Sequence, residues 1–287
     1  MKRKYRLDVA HAFDLAYGTW LMRGSAPLLS MMDNLQNINL SHEEDEGPEF
    51  FSEVDVDMEA SAGTSQGAQK SKKIIVIDLL GPMVKYSNWW AWGTLDLADY
   101  ILSQASNDRV AGFVLNIDSP GGNVSAVAPL IQAINKVQEL GKPIIAHCDM
   151  CASAALWVAS QCDAIFMDNK LSDIGSLGAY ATIYDDRENK LTGEKIITIY
   201  ADESEDKNKS VRDALEGDYK QMKAELSEII TEFRNAVFAG RPDLKKDEEG
   251  VATGAMFNAQ RAIEIGLADG MMTLDEAIEN VIIRADI

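Results

Sequence analysis

The hydrophobic positions of this chain change period along its length. KIIVIDLLG (73–81), VAGFVLNID (110–118), PIIAHCD (143–149) and DAIFMD (163–168) are short, nearly continuous apolar runs rich in β-branched residues, the pattern of strands buried on both faces. Between them, TLDLADYILSQA (94–105) has helical spacing. So does VSAVAPLIQAINKVQEL (124–140), through Val127, Leu130, Ile131, Ile134 and Val137. Gly141 and then Pro143 stop that second helix in the usual order. ASAALWVAS (152–160) reads as a third, short helix. Strands alternating with helices predict an α/β layered domain with largely parallel pairing. ATIYDD and KIITIYA flank ENKLTGE, which predicts a hairpin. The remainder is expected to be helical over roughly 210–238, 258–265 and 273–284, the last opening on a capping box of Thr273 and Glu276.

Ahead of this domain the pattern differs. Residues 7–36 show helical spacing at Leu7, Ala10, Phe13 and Leu15, then Trp20 and Leu21. Residues 41–60 carry nine carboxylates and no Lys or Arg, and residues 61–72 are small and polar. Like-charge repulsion without periodic apolar residues predicts a flexible segment that buries little. The expected organisation is an N-terminal helical arm (1–40), an acidic flexible linker (41–72) and one domain (73–287).

Charge and composition narrow the function classes. There are 27 basic and 46 acidic side chains, a formal net charge of −19, which argues against a binder of nucleic-acid phosphates. An apolar fraction of 46% supports a real core. Lys2, Arg3, Lys4 and Arg6 resemble the start of an export signal, but His11 and Asp14 interrupt the apolar stretch that such a signal needs behind its charges. No run approaches the roughly 18 apolar residues of a membrane span. A soluble, cytoplasmic protein without a membrane span is expected, and three cysteines fit a reducing compartment.

Two strand-to-helix junctions hold candidate chemistry. At Ser119-Pro120-Gly121-Gly122 the glycines leave backbone N–H groups unobstructed, where a negative oxygen is stabilised; the alternative is a tight turn that needs glycine. Ser153 sits between Ala152 and Ala154 where a helix follows a strand, presenting a nucleophilic hydroxyl or an N-cap. Together the junctions suggest a serine facing an oxyanion hole. Of the three histidines, His11 lies in the arm, His42 in the linker, and His147 on the strand entering the serine turn. None follows Ser153, so a Ser-His-Asp triad is poorly supported and His147 reads as a packed strand residue. A desolvated lysine amine does the same work, and Lys207 and Lys209 in YADESEDKNKSV are the candidates, against the alternative of solvated loop charges. Cys148 and Cys151 have the spacing of a redox pair and, with Cys162 and His147, the residue types of a zinc site. Yet neighbouring strand residues point to opposite faces, so buried inert thiols are the favoured reading. Trp89, Trp90 and Trp92 read as core or subunit interface rather than cleft.

The ordered set IDSPGG (117–122), CASAALWVAS (151–160), DIGSLGAY (173–180) and GAMFNAQRAIEIGLADG (254–270) resembles the S49 family of serine peptidases, of the signal peptide peptidase A type with its phage-encoded relatives. The resemblance implies a ClpP/crotonase-like spiral of ββα units with C-terminal helices, a Ser/Lys dyad, and assembly into homo-oligomers with the site near a subunit interface. By position it implies Ser153 as nucleophile, the N–H groups of Gly122 and Ala154 as oxyanion hole, and Ser176 as the serine that orients the lysine. Ala154 and Ala155 stand where the family usually has two glycines. Family spacing points near Glu205 for the base, making Lys207 the candidate and Lys209 the reserve, within an acidic run. The implied activity is endoproteolysis of extended polypeptides without metal or organic cofactor. The N-terminal arm and acidic linker are more similar to the phage or prophage branch, which trims head proteins inside a prohead. The alternatives are a cytoplasmic peptide-clearing peptidase and a non-catalytic oligomeric scaffold of the same fold.

Overall fold

The four apolar runs pair side by side in parallel. In the computed structural model, residues 20–22, 50–56, 71–88, 91–183, 185, 187, 195 and 197–286 are described, with 20–22 described by backbone alone. In chain order the elements are β1 (Trp20–Met22), β2 (Phe51–Val56), β3 (Lys72–Leu80), α1 (Thr94–Ala105), β4 (Val110–Ser119), β5 (Gly121–Asn123), α2 (Val127–Glu139), β6 (Ile144–Ala152), α3 (Ala154–Ala159), β7 (Ile165–Met167) and β8 (Asp173–Gly175). There follow α4 (Lys209–Leu215), α5 (Lys220–Gly240), β9 (Met256–Asn258), α6 (Ala259–Glu264), β10 (Gly270–Met271) and α7 (Leu274–Arg284). The main sheet has the order β10-β7-β6-β4-β3-β2, with β8 paired to β6 and β9 paired to β8. Its centre, β3-β4-β6-β7, is parallel, and the edge strand β2 is antiparallel.

Both faces of this sheet are covered, which is why its strands read as continuous apolar runs. On β3, Ile75, Ile77 and Leu79 face the larger core with α1, α2 and α3, while Ile74 and Val76 face a smaller core closed by Ala277, Ile278 and Val281 of α7. β4 alternates in the same way, with Phe113, Leu115 and Ile117 on one side and Val114 on the other. The layered α/β architecture is the one expected from the alternation of periods. The capping box of α7 forms as expected: Glu276 N–H donates to the Thr273 hydroxyl and Thr273 N–H to the Glu276 carboxylate.

Four expectations need correction or limitation. The segment read as a flexible acidic linker contains β2, which pairs with β3 from Phe51↔Ile77 to Val56↔Lys72. Its acidic residues Glu53 and Asp55 are exposed, Phe51, Val54 and Val56 are half-buried, and Glu53 pairs with Lys73. Counting carboxylates hid a strand whose charges lie on its outer positions. Phe51 stacks on Tyr100 of α1 with ring centroids 4.1 Å apart; Phe50 meets Trp92 at 4.6 Å, a core role for that tryptophan, while Trp89 and Trp90 lie outside the described residues. Within the arm read as helical, Trp20–Met22 is a strand, and the rest of 1–49 lies outside the described residues. The helix expected over 210–238 is two helices, α4 and α5, broken where Asp218 N–H turns back to Asp213 O at 2.8 Å beside Gly217. Of the expected hairpin, residues 181–183 and 197–201 are not in strands, and most of the remainder lies outside the described residues.

Candidate active site

Strand β6 forks, and the fork builds the serine turn. Its first part lies between β4 and β7, but at Met150–Ala152 β8 takes the place of β7 while β4 stays paired through Ser119↔Cys151. The next residue, Ser153, sits at φ 56°, ψ −115°, a backbone state that costs an ordinary L-residue about 1–3 kcal/mol. It persists because both sides of the turn are anchored. Ser153 N–H donates to Gly175 O at 2.8 Å, and Ser153 O accepts from Trp157 N–H at 3.0 Å to start α3. Trp157 in turn stacks on Phe233 of α5, with centroids 4.9 Å apart and planes within 8°. The hydroxyl does not cap the helix. Fully enclosed, it donates to Gly178 O at 3.3 Å.

The glycine junction lies beside it. β4 and β6 run together to the pair Ser119↔Cys151, so two further residues bring the chains to Gly121 and Ser153, and α3 packs against β5. Met83 N–H donates to Gly121 O at 2.8 Å, and Asn123 N–H donates to Met83 O at 2.9 Å. Backbone groups alternate along a strand, so the N–H and C=O of Gly122 point to the opposite edge. A Cβ on Gly122 would lie 2.1 Å from Met83 O and 2.5 Å from Met83 N, so the close approach of two backbones requires glycine here. Ala154 is the first residue of α3, and its N–H is among those a helix leaves without an internal acceptor.

The turn after β8 completes the enclosure. Gly175, at φ 142°, gives its carbonyl to Ser153. Ser176, at φ 58°, donates its N–H to Ala255 O at 2.8 Å and accepts from Gly178 N–H at 2.8 Å. The expected residues Ser153, Ala154, Gly122 and Ser176 thus lie on adjoining turns. Lys207 does not join them in this chain. It is exposed on the turn before α4, and its ammonium has no hydrogen-bond or ion-pair partner among the described residues. Lys209 pairs with Asp213. Asp202, Glu203, Glu205 and Asp206 all face solvent.

Sequence reasoning missed Met83 and Gly178, which act through backbone carbonyls and carry no side-chain signal. His147 is a packed strand residue, as expected: its Nδ1 lies 3.0 Å from Asn116 Oδ1 and its Nε2 3.2 Å from Met272 O and 3.3 Å from Asp168. All three cysteines are buried and free, and burial pushes the Cys148 and Cys162 thiols up, the reverse of a reactive pair. Among the described residues no cluster of three His, Cys, Asp or Glu side chains is placed to hold a metal ion, and no helix is long and apolar enough to cross a membrane. Asp118, at the end of β4, is raised by desolvation and by the charge of Asp149.

Comparison with known proteins bears on this geometry. Protease 4 of Haemophilus influenzae is 27% identical over 212 residues, covering 72% of this chain and 34% of that protein. The head-tail preconnector protein GP5 of Enterobacteria phage P21 is 28% identical over 182 residues, covering 62% of this chain and 35% of that protein. The chain therefore spans about a third of the length of either relative. Among solved structures, a membrane-bound stomatin-specific protease in complex with a substrate peptide aligns at a TM-score of 0.38 with 20% identity, over 71% of this chain and 77% of its own. The profile of peptidase family S49 matches residues 136–287, more than half of the chain, and this stretch includes the strained Ser153 turn and the Ser176 turn that anchors it. The sheet is mixed, with helices on both faces, and the chain belongs to peptidase family S49.

Proposed function

We propose that the protein is a serine endopeptidase in which Ser153 is the nucleophile. The observation that carries this reading is the Ser153 turn: a buried serine at positive φ, held by hydrogen bonds on both sides, beside a glycine whose N–H faces away from the Met83 backbone that its neighbours bond. Strain of this kind clusters at functional sites. In the reaction, Ser153 Oγ attacks a peptide carbonyl while a lysine amine takes its proton. The Gly122 and Ala154 N–H groups hold the oxyanion, and the proton passes to the leaving amine. Water then cleaves the acyl-enzyme by the same route. The amine is that of Lys207, with Ser176 to orient it.

Lys207 is exposed in the single chain, and an amine becomes a base when it is desolvated. The site is therefore completed across a subunit boundary, with Lys207 serving the Ser153 of a neighbour. Substrates are extended polypeptides, and similarity to a phage head-tail preconnector protein favours trimming of head proteins. The exposure of Lys207 also favours a second reading, a non-catalytic scaffold. A fluorophosphonate probe separates the two. Labelling of Ser153 in the assembled protein, lost in the Ser153→Ala and Lys207→Ala proteins and partly restored in their mixed oligomers, supports the peptidase. No labelling of the assembled protein would leave the scaffold.

A further inference from the structure

The edge of β5 that carries the Gly122 N–H is already occupied. β1 pairs antiparallel with β5 in the register Trp20↔Asn123, Leu21↔Gly122, Met22↔Gly121. On its other edge β5 is bridged to Met83 through Gly121 O and Asn123 N–H. By the alternation of backbone groups, Gly122 therefore turns both its N–H and its C=O toward Leu21. In such a pair the two residues exchange both of their hydrogen bonds, which sets the Leu21 carbonyl against the Gly122 N–H.

We infer that residues 20–22 are an internal occupant of the substrate-strand site, so that the chain competes with its own substrates. The inference rests on the reading of Gly122 as oxyanion donor. An extended polypeptide that is to be cut must lie along this same edge, because the donor that will stabilise its carbonyl is the one facing β1. One strand edge accepts one partner. β1 is three residues long and forms no part of the eight-stranded sheet, so a longer peptide that adds a strand in the same manner can displace it. The device keeps the oxyanion donor filled until a substrate or partner segment outcompetes the arm.

The experiment uses the full chain carrying Ser153→Ala, so that binding is read without chemistry. A fluorescein-labelled peptide with the sequence of residues 17–26 is titrated into this protein and into the same protein carrying Leu21→Pro, which removes the N–H that β1 gives to Gly122 O. The expected result is peptide affinity higher by about tenfold when the internal strand is broken, the worth of one to two net hydrogen bonds. Equal affinity in the two proteins overturns the inference. Should Leu21→Pro not fold, replacement of residues 20–22 by three glycines weakens the same strand and the same comparison decides. In the Ser153-containing protein, the strand-breaking change should lower KM for an added peptide and leave kcat unchanged. A gain in peptide affinity without any Ser153 labelling in either form would uphold the occupied edge while refuting the nucleophile.

Discussion

Replacing Gly122 by alanine probes the site where fold and chemistry meet. The added Cβ lies 2.1 Å from Met83 O, 2.5 Å from Met83 N and 2.6 Å from Met83 Cβ. The two nearest atoms are backbone, so no side-chain rotation relieves the clash. The strand must move by roughly 1 Å to restore ordinary contact. That movement stretches both Met83 hydrogen bonds, from Met83 N–H to Gly121 O and from Asn123 N–H to Met83 O. At about 1 kcal/mol net for each bond, with some uncompensated desolvation, the cost is about 2–4 kcal/mol. For a domain of this size it lowers the melting temperature by about 5–15 °C. The same shift misaims the Gly122 N–H, which in the proposed mechanism is an oxyanion donor, and loss of one such donor costs about 100- to 1,000-fold in kcat. Thermal melts by circular dichroism, paired with the rate of Ser153 labelling, check both effects. A Gly122→Ala protein with unchanged melting and unchanged labelling would refute the contact with Met83 and the role of the N–H together. Lowered stability with intact labelling would refute the role alone.

Phe51→Ala should cost about 2–3 kcal/mol, below the range for a fully buried phenylalanine because Phe51 is half-buried on Tyr100; an unchanged urea midpoint would show that β2 does not dock. Asp269 accepts both Arg241 guanidinium bonds at 2.7 and 2.8 Å and the Ile165 N–H at 2.7 Å. Burial works to raise this carboxyl, but these bonds outweigh it and hold it below its ordinary value. Because the folded value is depressed, its contribution is present above the unfolded carboxylate pKa of about 3.9 and is lost as pH falls through the folded value. Asp269→Asn should therefore cost about 2 kcal/mol at pH 7, where Arg241 is left buried without its charge partner, and the gap to the parent should narrow below about pH 4; a constant gap across that range would contradict the assignment. Ser153→Gly should abolish labelling yet leave the protein as stable as Ser153→Ala or more so, by about 1 kcal/mol, since glycine accepts φ 56° without strain; a less stable glycine variant would mean that the turn is not strained.

The central sheet was legible because its strands are buried on both faces and so carry an unbroken apolar signal. Phe113 and Val114 serve different cores, yet both must be hydrophobic. The two junctions were legible for a related reason. Gly121-Gly122 and Ala152-Ser153-Ala154 are small residues between long apolar runs, and only a close backbone approach or a special conformation calls for them. The carbonyls that hold the turns were not legible, because Met83, Gly175 and Gly178 act through atoms that every residue has. Nor did the sequence distinguish an exposed Lys207 from a buried one, since that depends on what covers the turn before α4.

The N-terminal region was misread for a physical reason that also bears on function. Among the described residues β2 has one partner strand, β3, and its Glu53 and Asp55 are exposed. It therefore tolerates Glu53 and Asp55 at the cost of any visible apolar run. β1 is shorter still, and three residues cannot display a period of two against a background of helical spacing. Neither strand is specified by its own composition; each is specified by an edge that another part of the chain leaves open. At β3 that edge is closed by a six-residue ladder and by the aromatic contacts of Phe50 and Phe51, an attachment built to last. At β5 it is closed by three residues against a pair of glycines, an attachment built to be exchanged.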